Sequence, residues 1–409
     1  MILNYIWVSF FLIAFVVALI KLIFFHDMEV FPKLLDSTFE MAKTGFTISL
    51  SLTGVMTLWL GLMKIGEKGG IVPILAKVVG PFFSRLFPGV PPDHPANGSI
   101  IMNFSANMLG LDNAATPIGL KAMKELQEIN PDKETASNAQ IMFLVLNTSG
   151  LTIIPLAIIA DRAAMGSVNP TSIFIPTLIA TFFSTMAGLI YVCIKQRIRL
   201  FDPVLLAYLL GLIAFIASVI WYFTQLPQDE LQRQSTLASS VIIISVIVGF
   251  ILLGLRRKLP LFDTFIDGAK EGFEIAIKII PYLVAILVGI GLFRTSGALD
   301  YITNAIKWGL TAFNLNTDFV DALPVALMKP LSAASARAMM IAISEPAPDS
   351  FVANLASIFR GCAETTFYIV AVYFGSVNIK KTRYAIQGGL IADLAGVIAA
   401  IFVGYLFFH

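Results

Sequence analysis

The stretch Asn97-Gly98-Ser99-Ile100-Ile101-Met102-Asn103-Phe104-Ser105-Ala106-Asn107-Met108-Leu109-Gly110-Leu111-Asp112-Asn113-Ala114-Ala115-Thr116-Pro117-Ile118-Gly119 decides how the chain is read. It gathers Asn103, Ser105, Asn107, Asp112, Asn113 and Thr116 in a protein that is otherwise overwhelmingly apolar. Gly110 and Pro117 interrupt it, so it does not run as one continuous helix. In a membrane, polar side chains on broken backbone are tolerated where they are buried in protein or line a wet cavity. The stretch is therefore expected at the centre of the molecule, with a weaker counterpart in the second half.

Composition supports that setting. Hydrophobic residues make up 57% of the chain and charged residues 13%, with a mean hydropathy of +0.84, whereas a soluble domain carries about 25% charge. An all-α polytopic membrane protein follows, not a set of soluble domains. A net charge of +2 gives no reason to expect a nucleic-acid partner. The expected partners are the lipid bilayer and a small polar solute, and a homo-oligomer stays open. Cys193 and Cys362 stand alone in apolar runs, and no zinc-type spacing is present, so neither a metal, a cofactor nor a structural disulfide is expected. Residues 1–25 lack a basic n-region and read as an uncleaved first helix.

About nine segments approach the roughly 20 residues needed to span: 3–25, 45–63, 139–160, 171–194, 203–223, 238–255, 274–293, 352–375 and 385–408. The intervals 64–138 and 294–351 mix apolar runs with Gly, Pro and polar residues, as discontinuous or re-entrant helices do. Basic clusters at Lys195–Arg199, Arg256–Lys258 and Lys380–Arg383, placed in the cytoplasm, orient the N-terminus inside and the C-terminus outside. Segment 26–44 fits this scheme least well, because Lys33 and Lys43 then lie outside.

Internal matches suggest duplication. Ala42-Lys43-Thr44-Gly45-Phe46 corresponds to Ala269-Lys270-Glu271-Gly272-Phe273, and Gly61-Leu62-Met63-Lys64 to Gly291-Leu292-Phe293-Arg294. Pro131-Asp132 followed by Asn147-Thr148-Ser149 corresponds to Pro348-Asp349 followed by Glu364-Thr365-Thr366. The predicted crossings give the equivalent spans opposite directions, so the repeats are inverted, with the site at their interface near the midplane. The expected halves are 1–200 and 201–409, with repeats over about 42–160 and 269–376.

The candidate site residues each carry two readings. Asn103 and Asn107 share a helix face, and Asp112-Asn113 suits a helix end; such amides replace the hydration shell of a solute or simply tie helices together. Glu364, inside a predicted span with Thr365 and Thr366, is a site candidate because a charge at the bilayer centre costs about 2.5–3.5 kcal/mol. Its plainer reading is an i,i+4 pair with Arg360. Asn147, Thr148 and Ser149 sit mid-span in an apolar run. Lys329, Ser332, Ser335 and Arg337 occupy the second half's counterpart of the Asn103 stretch; the two basic residues there meet an anionic solute or pair with carboxylates. Asp393 is a proton-linked group or a buried partner. No nucleophile–His–acid set or phosphate-cradling loop is present, and His94 reads as a loop residue, so no enzyme is expected.

Several motifs then resemble known ones. Leu58-Trp59-Leu60-Gly61-Leu62-Met63-Lys64, Asp93-His94-Pro95-Ala96, Asn103 through Pro117, and Thr135-Ala136-Ser137-Asn138-Ala139 resemble spore maturation protein A. Ile280-Pro281-Tyr282-Leu283-Val284-Ala285, Met328-Lys329-Pro330-Leu331-Ser332, Pro348-Asp349-Ser350-Phe351 and Glu364-Thr365-Thr366-Phe367-Tyr368 resemble spore maturation protein B. The resemblance covers nearly the whole chain and implies a fusion of the two. It also implies membership of the Gate, or nucleoside-recognition, group, which is similar to parts of nucleoside transporters and of the bacterial ferrous-iron permease. Transport or gating in a bacterial inner membrane is what this implies, without a substrate; the alternative is a non-transporting scaffold for spore or envelope maturation. Ala333-Ala334-Ser335-Ala336-Arg337 departs from the Gly-rich pattern expected there.

Overall fold

The computed structural model describes residues 2–108, 112–152, 155–198 and 202–409. Among them the architecture is helical apart from an isolated bridge between Thr135 and Lys381. In chain order the helices are α1 (Ile2–Phe25), α2 (Val30–Gly69), α3 (Ile71–Leu86), α4 (Pro95–Met108), α5 (Asp112–Glu128), α6 (Asn138–Ser149) and α7 (Leu156–Ala164). There follow α8 (Phe174–Gln196), α9 (Pro203–Thr224), α10 (Gln228–Arg256), α11 (Leu261–Thr295) and α12 (Ala298–Thr311). The chain closes with α13 (Leu323–Met328), α14 (Ala333–Ser344), α15 (Phe351–Gly361), α16 (Thr366–Ser376) and α17 (Ala385–Phe408).

Six segments are long and apolar enough to cross a bilayer: Trp7–Phe25, Pro170–Gln196, Pro203–Thr224, Arg233–Arg256, Phe351–Ser376 and Ala385–Phe408. The pair Thr53–Gly69 and Ile71–Leu86, bent by 65°, makes a seventh. Gly70 forms that bend with φ +89°, against the Arg257 guanidinium, where a Cβ has no room. The protein is thus polytopic, with six or seven candidate spans among the described residues. The run 139–160 divides into α6 and α7, because Gly150 turns left-handed at φ +43° and Pro155 precedes α7. The runs 45–63 and 274–293 are the middles of α2 and α11, of 40 and 35 residues. At 1.5 Å per residue α2 is roughly 60 Å long. That is about twice the hydrocarbon thickness, so it tilts or projects beyond the bilayer.

α2 and α11 run antiparallel against each other, and their glycines allow the approach. A Cβ on Gly45 would lie 3.1 Å from the Val284 side chain, and one on Gly272 would lie 2.6 Å from the Met56 carbonyl. Gly61 faces Phe265, and Gly291 faces Ser37 and Met41. These contacts exchange under the sequence correspondence of Gly45 with Gly272 and Gly61 with Gly291. Toward one end Lys64 Nζ meets Glu271 Oε1 at 2.9 Å and Lys68 Nζ meets Asp267 Oδ2 at 3.5 Å.

The basic clusters gather at that same end. Arg257 Nη1 donates to the Lys68 carbonyl at 3.3 Å. Arg85 on α3 meets Asp202, the N-cap of α9, at 3.8 Å. Gln196 at the end of α8 donates to the Asn138 carbonyl at 2.8 Å. Lys380 pairs with Glu134 at 2.6 Å, and Arg383 donates to the Ala136 carbonyl at 3.0 Å. Arg199 lies outside the described residues.

Gly272→Ala is expected to force α2 and α11 apart and cost about 1–3 kcal/mol. Gly249→Ala, which meets nothing within 4 Å, should be neutral or stabilise by about 0.5–1 kcal/mol. Thermal unfolding of the two variants in the same detergent checks the contrast.

Candidate functional site

The centre of the molecule is built from helix breaks. α6 stops at Ser149, α13 stops at Met328 just ahead of Pro330, and α15 stops at Gly361. Each restarts within a few residues as α7, α14 and α16. The freed backbone groups satisfy one another: Glu364 N donates to the Thr148 carbonyl at 2.8 Å, and Phe367 N to the Pro330 carbonyl at 3.1 Å. Gly150 packs against this junction, where a Cβ would sit 3.0 Å from Glu364 Cγ.

Where the breaks meet lies a cavity of about 140 Å³. Asn107 from α4, Thr152 from the α6–α7 break, Lys329, Arg360 and Glu364 supply its polar walls, and Ala333 and Leu156 supply apolar ones. Lys329 is buried, and its Nζ stands 3.7 Å from Glu364 Oε2; the glutamate side chain is 45% exposed. That separation is a loose ion pair, which leaves both groups able to meet a third partner.

Behind the cavity runs a chain of amides. Asn107 Nδ2 donates to Asn147 Oδ1 at 2.7 Å, and the Tyr373 hydroxyl donates to the same oxygen at 3.3 Å. Asn103 Nδ2 donates to the Ala115 carbonyl at 2.7 Å, tying α4 to α5, and Asn147 Nδ2 to the Phe143 carbonyl at 2.8 Å. The network joins α4, α5, α6 and α16 across more than 200 residues of sequence separation.

Beneath it Asp161 on α7 is fully buried and accepts from both Arg337 on α14, through Nε at 3.0 Å, and Arg360 on α15. The neighbouring Arg162 is equally buried; its Nη2 donates to Asp349 Oδ1 at 3.0 Å and its Nη1 to the Pro348 carbonyl at 3.2 Å. On the opposite side Thr366 Oγ1 donates to Asp393 Oδ2 at 2.7 Å.

The other expected site residues have local roles in this structure. Ser332 N-caps α14, accepting from Ser335 N at 3.2 Å and from Ser335 Oγ at 3.0 Å. Thr148 and Ser149 donate back to the carbonyls of Val145 and Leu146 on their own helix. Thr116 is half-buried on α5, and Thr365 is buried. Gly110 and the side chains of Asp112 and Asn113 lie outside the described residues. The plainer reading, an i,i+4 pair of Arg360 with Glu364, is replaced: α15 ends at Gly361, so Glu364 leaves the helical register and pairs with Lys329, while Arg360 reaches Asp161. The triplets Asn147–Ser149 and Glu364–Thr366 do not occupy equivalent places, since the first ends a helix and the second spans a break.

The segments from α4 to α7 lie within a likeness to a known family. The Gate family, described as nucleoside recognition, matches residues 49–165. Spore maturation protein A of Bacillus subtilis is 42% identical over 187 residues, which are 46% of this chain and 92% of that protein. Spore maturation protein B of the same organism is 44% identical over 164 residues, 40% of this chain and 90% of that protein. The chain belongs to the spore maturation protein A and B family. No solved structure matches it.

The Gate segment holds Asn103, Asn107 and Asn147 together with the α6–α7 break, and ends just past Asp161 and Arg162. Those last two are functional-site neighbours that hydropathy conceals, because they close an apolar run and read as its flank. The available signal was their adjacency: an Asp-Arg pair directly after Leu156–Ala160, with no turn residue between.

Asp161→Asn should leave two largely buried guanidinium groups without their carboxylate and lower stability by about 3–5 kcal/mol, read as a loss of thermal stability in detergent. Asp349 gives a pH test. Burial disfavours its charge, but hydrogen bonds from Ser167 and Val168 N and the Arg162 guanidinium outweigh that and hold its carboxyl below the usual range. A depressed folded value means that this stabilisation is present above the unfolded carboxylate pKa and is lost as pH falls through the folded one. Asp349→Asn should remove that part of the acid destabilisation, read as Tm against pH.

Proposed function

We propose that this protein is a carrier or gated permease for a small polar solute in the bacterial inner membrane, not an enzyme. Its two parts, 1–200 and 201–409, act as Gate-type repeats of inverted orientation. The observation that carries this is the cavity at the junction of three helix breaks, walled by Asn107 from one part and by Lys329, Arg360 and Glu364 from the other. Broken helices whose polar ends face a cavity between repeats are the arrangement in which secondary transporters hold their solutes.

Further observations support the inverted organisation. α2 and α11 run antiparallel, with contacts that exchange between equivalent glycines. Two relatives are each contained almost whole within under half of this chain. The shared end of the basic clusters favours placing that end in the cytoplasm, which puts the N-terminus inside and the C-terminus outside.

The test is flux from vesicles reconstituted with purified protein, using a panel of neutral, cationic and anionic solutes small enough for the cavity. Wild-type protein should release at least one of them, and Glu364→Gln, folded and inserted, should slow that release by about tenfold or more, which is about 1.4 kcal/mol. Unchanged flux in Glu364→Gln would remove Glu364 from the site while keeping transport, and tight vesicles with every solute would favour the scaffold reading.

A further inference from the structure

Among the described residues, the ionisable groups that line the cavity or lie beside it balance in charge. The cations are Lys329, Arg337 and Arg360, and the carboxylates are Asp161, Glu364 and Asp393. Asp161 is held by both arginines, Glu364 faces Lys329, and Asp393 acts electrostatically on Lys329 and Glu364. With all six ionised the assembly is neutral.

Asp393 differs from the other two carboxylates in having no ion-pair partner among the described residues. It is buried on α17, its Oδ2 accepts from Thr366 Oγ1 at 2.7 Å, and its Oδ1 is buried with no hydrogen-bond partner among the described residues. The turns on either side of it pack tightly. A Cβ on Gly389 would meet Thr366 and, at 3.3 Å, Thr148 Oγ1, and one on Gly396 would meet the Cys362 carbonyl at 2.8 Å and Ser184 Cβ at 3.1 Å. α6 therefore presents a hydroxyl toward this face, and α8 packs Ser184 against it. The titratable groups acting on Asp393 are Lys329, Glu364 and Cys362. A buried carboxylate lacking a donor on one oxygen is tolerated as a neutral acid far better than as an ion.

We propose that the cavity binds a small monoanion together with one proton, the proton residing on Asp393; this rests on the transport reading above. When Asp393 is protonated, three cations face two carboxylates, and one positive charge is left for the anion to neutralise. The empty, deprotonated site and the loaded, protonated site are both neutral. Either ligand alone leaves a net charge inside the membrane, where uncompensated charge is costly. Proton and anion therefore enter as a pair. Lys329 is the group that receives the anion, since its contact with Glu364 is loose and the glutamate is half-exposed and free to yield. A cavity of about 140 Å³ is close to the ~150 Å³ that accommodates benzene, so the solute is a small carboxylate or inorganic anion.

The probes are acetate, lactate and nitrate as anions, with choline and uridine as cationic and neutral controls. At least one anion should raise the thermal stability of purified wild-type protein, and its affinity should rise on acidification by about 5- to 150-fold, the usual range of site-to-site coupling. Asp393→Asn, which fixes the neutral state, should bind that anion without this pH dependence and should no longer move protons with it in vesicles carrying an internal pH dye. Lys329→Met should weaken binding by about tenfold or more. Should Asp393→Asn fail to fold, Thr366→Val removes the donor that favours the carboxylate and should extend anion binding to higher pH. Stabilisation by none of the three anions overturns the proposal, as does full wild-type pH dependence in Asp393→Asn. Flux of uridine or choline without any anion response removes this proposal and keeps the transport reading; tight vesicles with every solute remove the transport reading itself.

Discussion

In the hydrocarbon of a bilayer no water is present to satisfy a backbone N–H or C=O, so a helix that breaks there must find partners within the protein. This chain meets that requirement by breaking several helices at one place. The N–H of Glu364 in the α15–α16 break reaches the Thr148 carbonyl at the end of α6, and the N–H of Phe367 reaches Pro330 between α13 and α14. Each break supplies what another lacks, which explains why they converge. The cavity follows from the convergence: Gly150 and Pro330 remove bulk and backbone donors where three chain segments meet, and the space between them is lined by the polar residues those segments carry.

How much of this was legible depended on contrast with the apolar background. Asn103, Asn107 and Asn147 stand out because amides are rare in the surrounding runs, and they do meet in one hydrogen-bonded network. Asp161 lacked that contrast, since a charge at the edge of an apolar run is what any span boundary shows. Its burial is set by Arg337 and Arg360, which arrive from 176 and 199 residues away, and no local pattern encodes such a meeting. Helix lengths and breaks were hidden for a related reason. Hydropathy detects the middle of α2 but not its 40-residue length, and an apolar run reads alike whether it is one helix or two halves about Gly150.

The packing of α2 on α11 has a different character from the centre. It is made by glycines against side chains and backbone, with the ion pairs of Lys64 and Lys68 toward one end. Small residues allow close backbone approach in membranes, where dispersion does much of the work that hydrophobic burial does in water. The polar centre is instead held by amides and ion pairs. One framework therefore sets the distance between the two parts, and another sets what the space between breaks can hold.

The ion pairs themselves constrain how that space can change. Lys64 with Glu271, Lys68 with Asp267, Glu134 with Lys380, Asp161 with Arg337 and Arg360, and Arg162 with Asp349 all join a residue before position 200 to one after it. Those made by Asp161 and Arg162 involve fully buried groups. Separating the two parts at that level would strand charges away from water, at several kcal/mol for each broken pair. At the cavity, Lys329 with Glu364 differs from these: both partners come from the same part, their contact is long, and the glutamate is already half-exposed. Opening that pair strands no charge across the seam. Motion that changes access to the cavity is therefore cheapest at Lys329 and Glu364, within the breaks, while the cross-seam pairs keep the two parts together.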